Sequence, residues 1–221
     1  RINNPMATFK GIKGFTVQTL SSDPTTADSV GQFYFNSTSN TFKYVQPGTV
    51  GAWASGGNLG TARGSGASIG TQNASLFVGG ENPLSTPSVF GLTESYNGSS
   101  WTELADLNTA RQGAIGSGTQ TAGIVAGGGT TADVESWNGS SWTETTDTNT
   151  ARNAAAGDGT VTNSIITGGG NAGSTEGTAI TESWNGSSWT EVADLNQVRY
   201  MASMAGDSTS AIVTGGTDTP S

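Results

Sequence analysis

Apolar positions along this chain come in short alternating runs, and turns interrupt them before any helical period can build. Gln112 to Ser117 and Thr121 to Ala126 read as two strands, and Asp133 to Trp137 and Ser141 to Thr145 as two more. Asn138-Gly139 lies between the last two runs, and Asn-Gly is the strongest short hairpin signal because a type I′ turn needs positive φ at both central residues. The pattern predicts a unit of four antiparallel strands. Nearer the N-terminus, Lys10 to Leu20 reads as an alternating strand, Ser21 to Asp28 as a polar loop, and Gly31 to Phe35 with Thr41 to Val45 as a hairpin.

The unit recurs. Asn-Gly-Ser-Ser-Trp occurs three times, ending at Trp101, Trp142 and Trp189, each with a Glu seven residues earlier (Glu94, Glu135, Glu182). Trp53 shares the downstream context. Ten residues after each Trp stands an Arg (Arg63, Arg111, Arg152, Arg199), and sixteen residues after each Arg begins a Gly pair, at Gly79, Gly127, Gly168 and Gly215. Only the interval from Gly pair to Glu is elastic: 15 residues from Gly79 to Glu94, 8 from Gly127 to Glu135 and 14 from Gly168 to Glu182.

One sheet of this size cannot bury both faces alone, so the units must pack on one another. Burying one indole contributes roughly 4–6 kcal/mol gross, which makes the repeated Trp the main packing element. Trp101, Trp142 and Trp189 are expected in the core, and so are Tyr96, Trp137 and Trp184 in the adjacent strand, the alternative for these aromatics being a platform on which a sugar ring stacks. The four Arg are expected to pair with an acid or with backbone carbonyls of a neighbouring unit, since one guanidinium offers five donors.

Composition narrows the chemistry. The 221 residues include no Cys and no His, which removes cysteine nucleophiles, histidine bases and the usual zinc and haem ligands. Net charge is −9, and the first 43 residues are positive, so the body is acidic and repels phosphate backbones; nucleic acid is not an expected partner. No apolar run approaches the ~20 residues of a membrane span. No Lys follows Lys43, so the Gly-rich stretches are not phosphate loops, and the scattered acids lack calcium-loop spacing. No metal, cofactor or catalytic residue is assigned.

An Arg, a strand ending in Gly-Gly, Glu-Ser-(Tyr/Trp)-Asn and then Trp together resemble the kelch repeat. The resemblance covers Trp53 to Gly216 and implies an all-β protein: a kelch-like β-propeller of about four four-stranded blades, preceded by a small β arm and hairpin. The last unit stops after Gly216, before its own Glu-Ser-Trp-Asn. Either the chain is cut short, or strands from the N-terminal side, Thr41 to Val45 with Ala52-Trp53, complete the ring.

The stretch Gly31 to Lys43 resembles a hairpin of virion structural and tail-fibre proteins of tailed bacteriophages. With the Asn-Gly-Ser-Ser-Trp arrays, the whole is similar to marine phage proteins of that kind. The implied organisation is an anchoring arm over 1–28, a hairpin and linker over 29–52, and kelch-like repeats over 53–221. The implied role is non-enzymatic: a virion tail-fibre adhesin that meets a host-surface glycan or receptor, joined through its N-terminal segment to other virion proteins and to sister chains, with a trimer plausible. The alternative is a capsid or tail decoration with a purely architectural role. In a four-stranded meander, the loops after the second and fourth strands emerge on one face, and loops on a rigid scaffold are where binding usually resides. The candidate contact residues are Glu81, Asn82, Ser85, Thr86, Thr130, Thr131, Asp133, Asn171, Ser174 and Glu176.

Overall fold

A computed structural model describes residues 18–22, 33–44, 56–171 and 177–218, which fall into two compact units divided after Ser55. Trp53, Ser174, Glu176 and most of the Lys10 to Leu20 run lie outside the described residues, as do Val45 and Ala52.

In the first unit, β1 (Gln18–Leu20) runs parallel to β2 (Phe33–Asn36), which pairs antiparallel with β3 (Thr41–Tyr44). The predicted hairpin is present. Its turn is fixed by the Asn36 carboxamide, which accepts hydrogen bonds from the backbone N–H groups of Thr38 and Ser39.

The second unit holds three four-stranded antiparallel sheets in chain order. They are β4 (Ala67–Thr71), β5 (Ala74–Val78), β6 (Thr93–Tyr96) and β7 (Trp101–Glu103), followed by β8 (Ile115–Thr119), β9 (Ala122–Ala126), β10 (Val134–Trp137) and β11 (Trp142–Thr145). After the two-residue β12 (Arg152–Asn153) comes the third sheet, β13 (Ala156–Thr160), β14 (Asn163–Thr167), β16 (Thr181–Trp184) and β17 (Trp189–Glu191), with β15 (Gly170–Asn171) pairing back to β12. The fourth repeat contributes a hairpin, β18 (Tyr200–Asp207) and β19 (Ser210–Thr217). The described residues contain no helix.

Two local expectations are corrected. The strand predicted from Gln112 begins three residues later, at Ile115, because Gly113 is bonded between repeats: its N–H donates to Ser65 O and its carbonyl accepts from Ala154 N. The Asn-Gly turns are not type I′, since Gly139 has φ +96° but Asn138 is not in the left-handed region. Instead the Asn138 carboxamide oxygen accepts from Ser140 N at 2.9 Å and Ser141 N at 3.0 Å, closing a four-residue loop between Trp137 and Trp142. The turns at Asn97 and Asn185 are built the same way.

The first strand of each repeat neighbours the first strand of the next, in the order β4, β8, β13, β18. Large side chains of one sheet meet glycines of the following one: Ile69 faces Gly116 and Gly123, and Ile115 faces Gly157. Each hydrophobic core therefore lies between successive sheets. Ile69, Leu76 and Val78 pack with Trp137 and Trp142 of the second sheet, and Ile124 and Val134 pack with Trp184 and Trp189 of the third. Of the expected core indoles, Trp142 and Trp189 are buried and Trp101 is half-buried. Trp137 and Trp184 are buried as deeply as their partners, in line with the sequence expectation, and the paired indoles pack across the hairpin with centroids 5.1 and 5.3 Å apart.

Candidate functional site

In the first three repeats the Arg stands four residues before the first strand of its own sheet. From there its side chain reaches the Glu on the third strand of that same sheet. Arg63 pairs with Glu94, Arg111 with Glu135 and Arg152 with Glu182, all with side chains essentially removed from solvent. The expected acid partner is thus present for these three, on the Arg's own sheet and not on a neighbouring one.

Each carboxylate is fully engaged. Glu135 Oε2 accepts from Asn108 N and Asn108 Nδ2, both at 2.8 Å, while Oε1 accepts from Thr109 N as well as from Arg111. Glu182 repeats the set with Asn149 and Thr150. Glu94 receives Gly60 N and Thr61 N. The remaining guanidinium donors go to carbonyls: Arg111 Nη1 to Asp133 O at 2.7 Å and Arg152 Nη1 to Ile180 O at 2.6 Å. Burial works against the charge on Glu94, but the Arg63 guanidinium and the Gly60 N–H outweigh it and hold the carboxyl below its ordinary value. Burial pushes the Arg152 guanidinium down from its ordinary value, and Glu182 opposes that shift. Saturated, solvent-excluded pairs of this kind offer no lone pair to a substrate. They are clamps on the backbone.

The Gly pairs complete the stitching between sheets. Gly127 N–H donates to Asp133 O, the carbonyl that Arg111 also holds, and Gly128 N–H donates to Arg152 O of the next repeat. Gly127 has φ +63°, and a Cβ there would stand 2.8 Å from the Arg152 carbonyl, so only glycine fits. Gly80 to Arg111 O and Gly169 to Arg199 O are the equivalent bonds.

The elastic loops rise from this frame. Leu107 N and Arg111 N donate to Gly91 O and Phe90 O, and Leu195 N and Arg199 N to Ala179 O and Thr178 O, so the loop after the second strand lies beside the connection after the fourth. The structure then separates the candidate contact residues. Glu81 is half-buried and bridges Gly64, with its carboxylate accepting from Ser65 Oγ; Asn82 donates from its side chain to Ala62 O and from its backbone to Ser88 O. Ser85 Oγ is turned inward, bonding Asn82 O and Pro87 O. Thr86, before a cis Pro87, is exposed, and Leu84 at the tip is 96% exposed. In the second repeat Thr130 is exposed, whereas Thr131 and Asp133 belong to the frame: Thr131 Oγ1 accepts from Asp133 N. Asn171 lies in β15, paired with Arg152 of β12.

No protein-family model matches this chain, and the search of curated proteins finds no significant relative.

Two stations of the frame escaped the sequence reading. Asp106, Asp147 and Asp194 each accept from the backbone N–H that opens the third strand, at Thr93, Val134 and Thr181. Asn108 and Asn149 hold the buried Glu. Their signal was present in the chain, since Asp stands five and Asn seven residues after Trp101, Trp142 and Trp189. Acids and amides in a polar connection read as solvated, and only the fold turns them inward.

Proposed function

We propose that this chain is a non-enzymatic virion structural protein of a tailed bacteriophage, in which the repeats are blades of a kelch-like β-propeller and the elastic loops form an adhesive face for a host-surface glycan. Two observations support the propeller: β4, β8, β13 and β18 follow one another as neighbours, and one pocket of about 240 Å³ is lined by the same three positions of all four repeats. Those positions are Gly66-Ala67-Ser68, Ala114-Ile115-Gly116, Ala155-Ala156-Gly157 and Ala202-Ser203-Met204.

The observation that carries the adhesive reading is the contrast between frame and loops. Arg–Glu clamps and Gly bonds recur with the same partners, while the loops between Gly pair and Glu differ in length and end in exposed Leu84, Thr86 and Thr130. The N-terminal segment, in this reading, joins the chain to other virion proteins and to sister chains. Purified protein is expected to bind intact susceptible bacteria. Binding only to stripped particles would favour the architectural role, and release of sugar an enzyme.

A further inference from the structure

Left-handed backbone recurs at fixed stations of the repeat, and all but one of these stations are glycine in every copy. Gly70, Gly118, Gly159 and Gly206 hold one, the two members of each Gly pair hold two more, and Gly98, Gly139 and Gly186 hold the turn. The exception lies two residues after each Arg, where Ser65, Gly113, Ala154 and Met201 have φ of +56°, +65°, +47° and +55°. A side chain is disfavoured in this conformation because its Cβ crowds the following carbonyl oxygen. Three of the four residues therefore carry strain that a glycine would remove.

The four residues form a collar. Gly113 N donates to Ser65 O at 2.7 Å, Ala154 N to Gly113 O at 2.8 Å and Met201 N to Ala154 O at 3.0 Å, so one chain of hydrogen bonds passes through all four repeats. The residues that follow, beginning at Gly66, Ala114, Ala155 and Ala202, line the pocket of about 240 Å³ that the repeats share, which puts the collar at one end of it. Met201 is 64% exposed, so water reaches this end. A second set of bonds joins the same repeats: Gly80 N to Arg111 O, Gly128 N to Arg152 O and Gly169 N to Arg199 O. Their donors are glycines, for which a positive φ is no burden.

We propose that the collar is a spring-loaded gate on the shared pocket. Ser65, Ala154 and Met201 lower their backbone energy by leaving the left-handed region, and that motion breaks the collar bonds. The Gly-to-Arg bonds hold meanwhile, so the mouth of the pocket opens without the sheets coming apart. The inference rests on the repeat geometry and is independent of the phage reading.

Amide hydrogen exchange of the whole chain, read residue by residue by NMR, tests the gate. The N–H groups of Gly113, Ala154 and Met201 are expected to be at least about 10-fold less protected than those of Gly80, Gly128 and Gly169. Ala154→Gly relieves strain in the closed collar, so protection at residue 154 and at Met201 should rise about 3-fold or more while that at Gly128 stays unchanged. Met201→Gly should do the same at residue 201. Equal protection of the two sets of bonds in the wild type overturns the proposal. So does unchanged or lower protection at residue 154 in Ala154→Gly, the result of a glycine that merely loosens the chain, and so does a rise shared equally by Gly128, which marks global stabilisation.

Discussion

Trp189 carries a buried indole N–H with no acceptor, and the cause is a single residue in the sheet before it. The equivalent Trp142 Nε1 donates to Thr93 Oγ1 at 2.9 Å, across the interface between the first and second sheets. In the next interface the position of Thr93 is occupied by Val134, which has nothing to accept with. Thr93→Val should therefore cost about 1–3 kcal/mol by orphaning a second indole, whereas Val134→Thr should be close to neutral or stabilising. Urea melts of the two variants check the pair; equal losses in both would contradict it. The clamps make a larger prediction. Removing Glu135 leaves the Arg111 charge buried without its partner, so Glu135→Ala should destabilise by about 3–5 kcal/mol. Glu94 adds a pH dependence. Its folded carboxyl lies below the ordinary 4.5, so its stabilisation is complete above that value and disappears as pH falls through the depressed folded value. The melting temperature of the wild type should fall on acidification over that window, and that of Glu94→Gln should fall less.

At the scale of the element, strands and turns were legible wherever local chemistry decides them. Alternation located β9, β10 and β11 nearly to the residue, and Asn-Gly marked the hairpin between the third and fourth strands of each four-stranded sheet. The turn type was missed because the carboxamide of Asn138 satisfies two backbone N–H groups, an option that a φ-based rule does not contain. The Gly pairs were visible as spacing, but not their reason, which is the approach of a carbonyl from the next repeat. Gly127→Ala should cost more than about 1 kcal/mol, from left-handed backbone strain and contact with Arg152 O. For the loops, substituting residues 83–87 with a Gly-Ser link leaves the Glu81 bridge and the Asn82 to Ser88 bond in place. Stability should stay within about 0.5 kcal/mol while cell binding is lost. Undiminished binding would contradict the adhesive assignment.

At the scale of the molecule, the repeat spacing foretold sheets that cannot stand alone, and the cores between successive sheets fulfil that physics. Spacing did not reveal that Arg111 and Arg152 each serve their own sheet through the side chain and the previous sheet through the carbonyl. This double attachment ties successive repeats together. The proposed propeller requires the four repeats to surround a common axis rather than form a linear stack. A chain without cysteine permits a direct measurement: nitroxides at Ser68→Cys and Ser203→Cys, on the first strands of the first and fourth repeats, with their separation read by pulsed electron spin resonance. Facing residues across one pocket predict a separation below about 20 Å, whereas a linear stack at ~10 Å per sheet would put the labels about 30 Å or more apart and contradict the account.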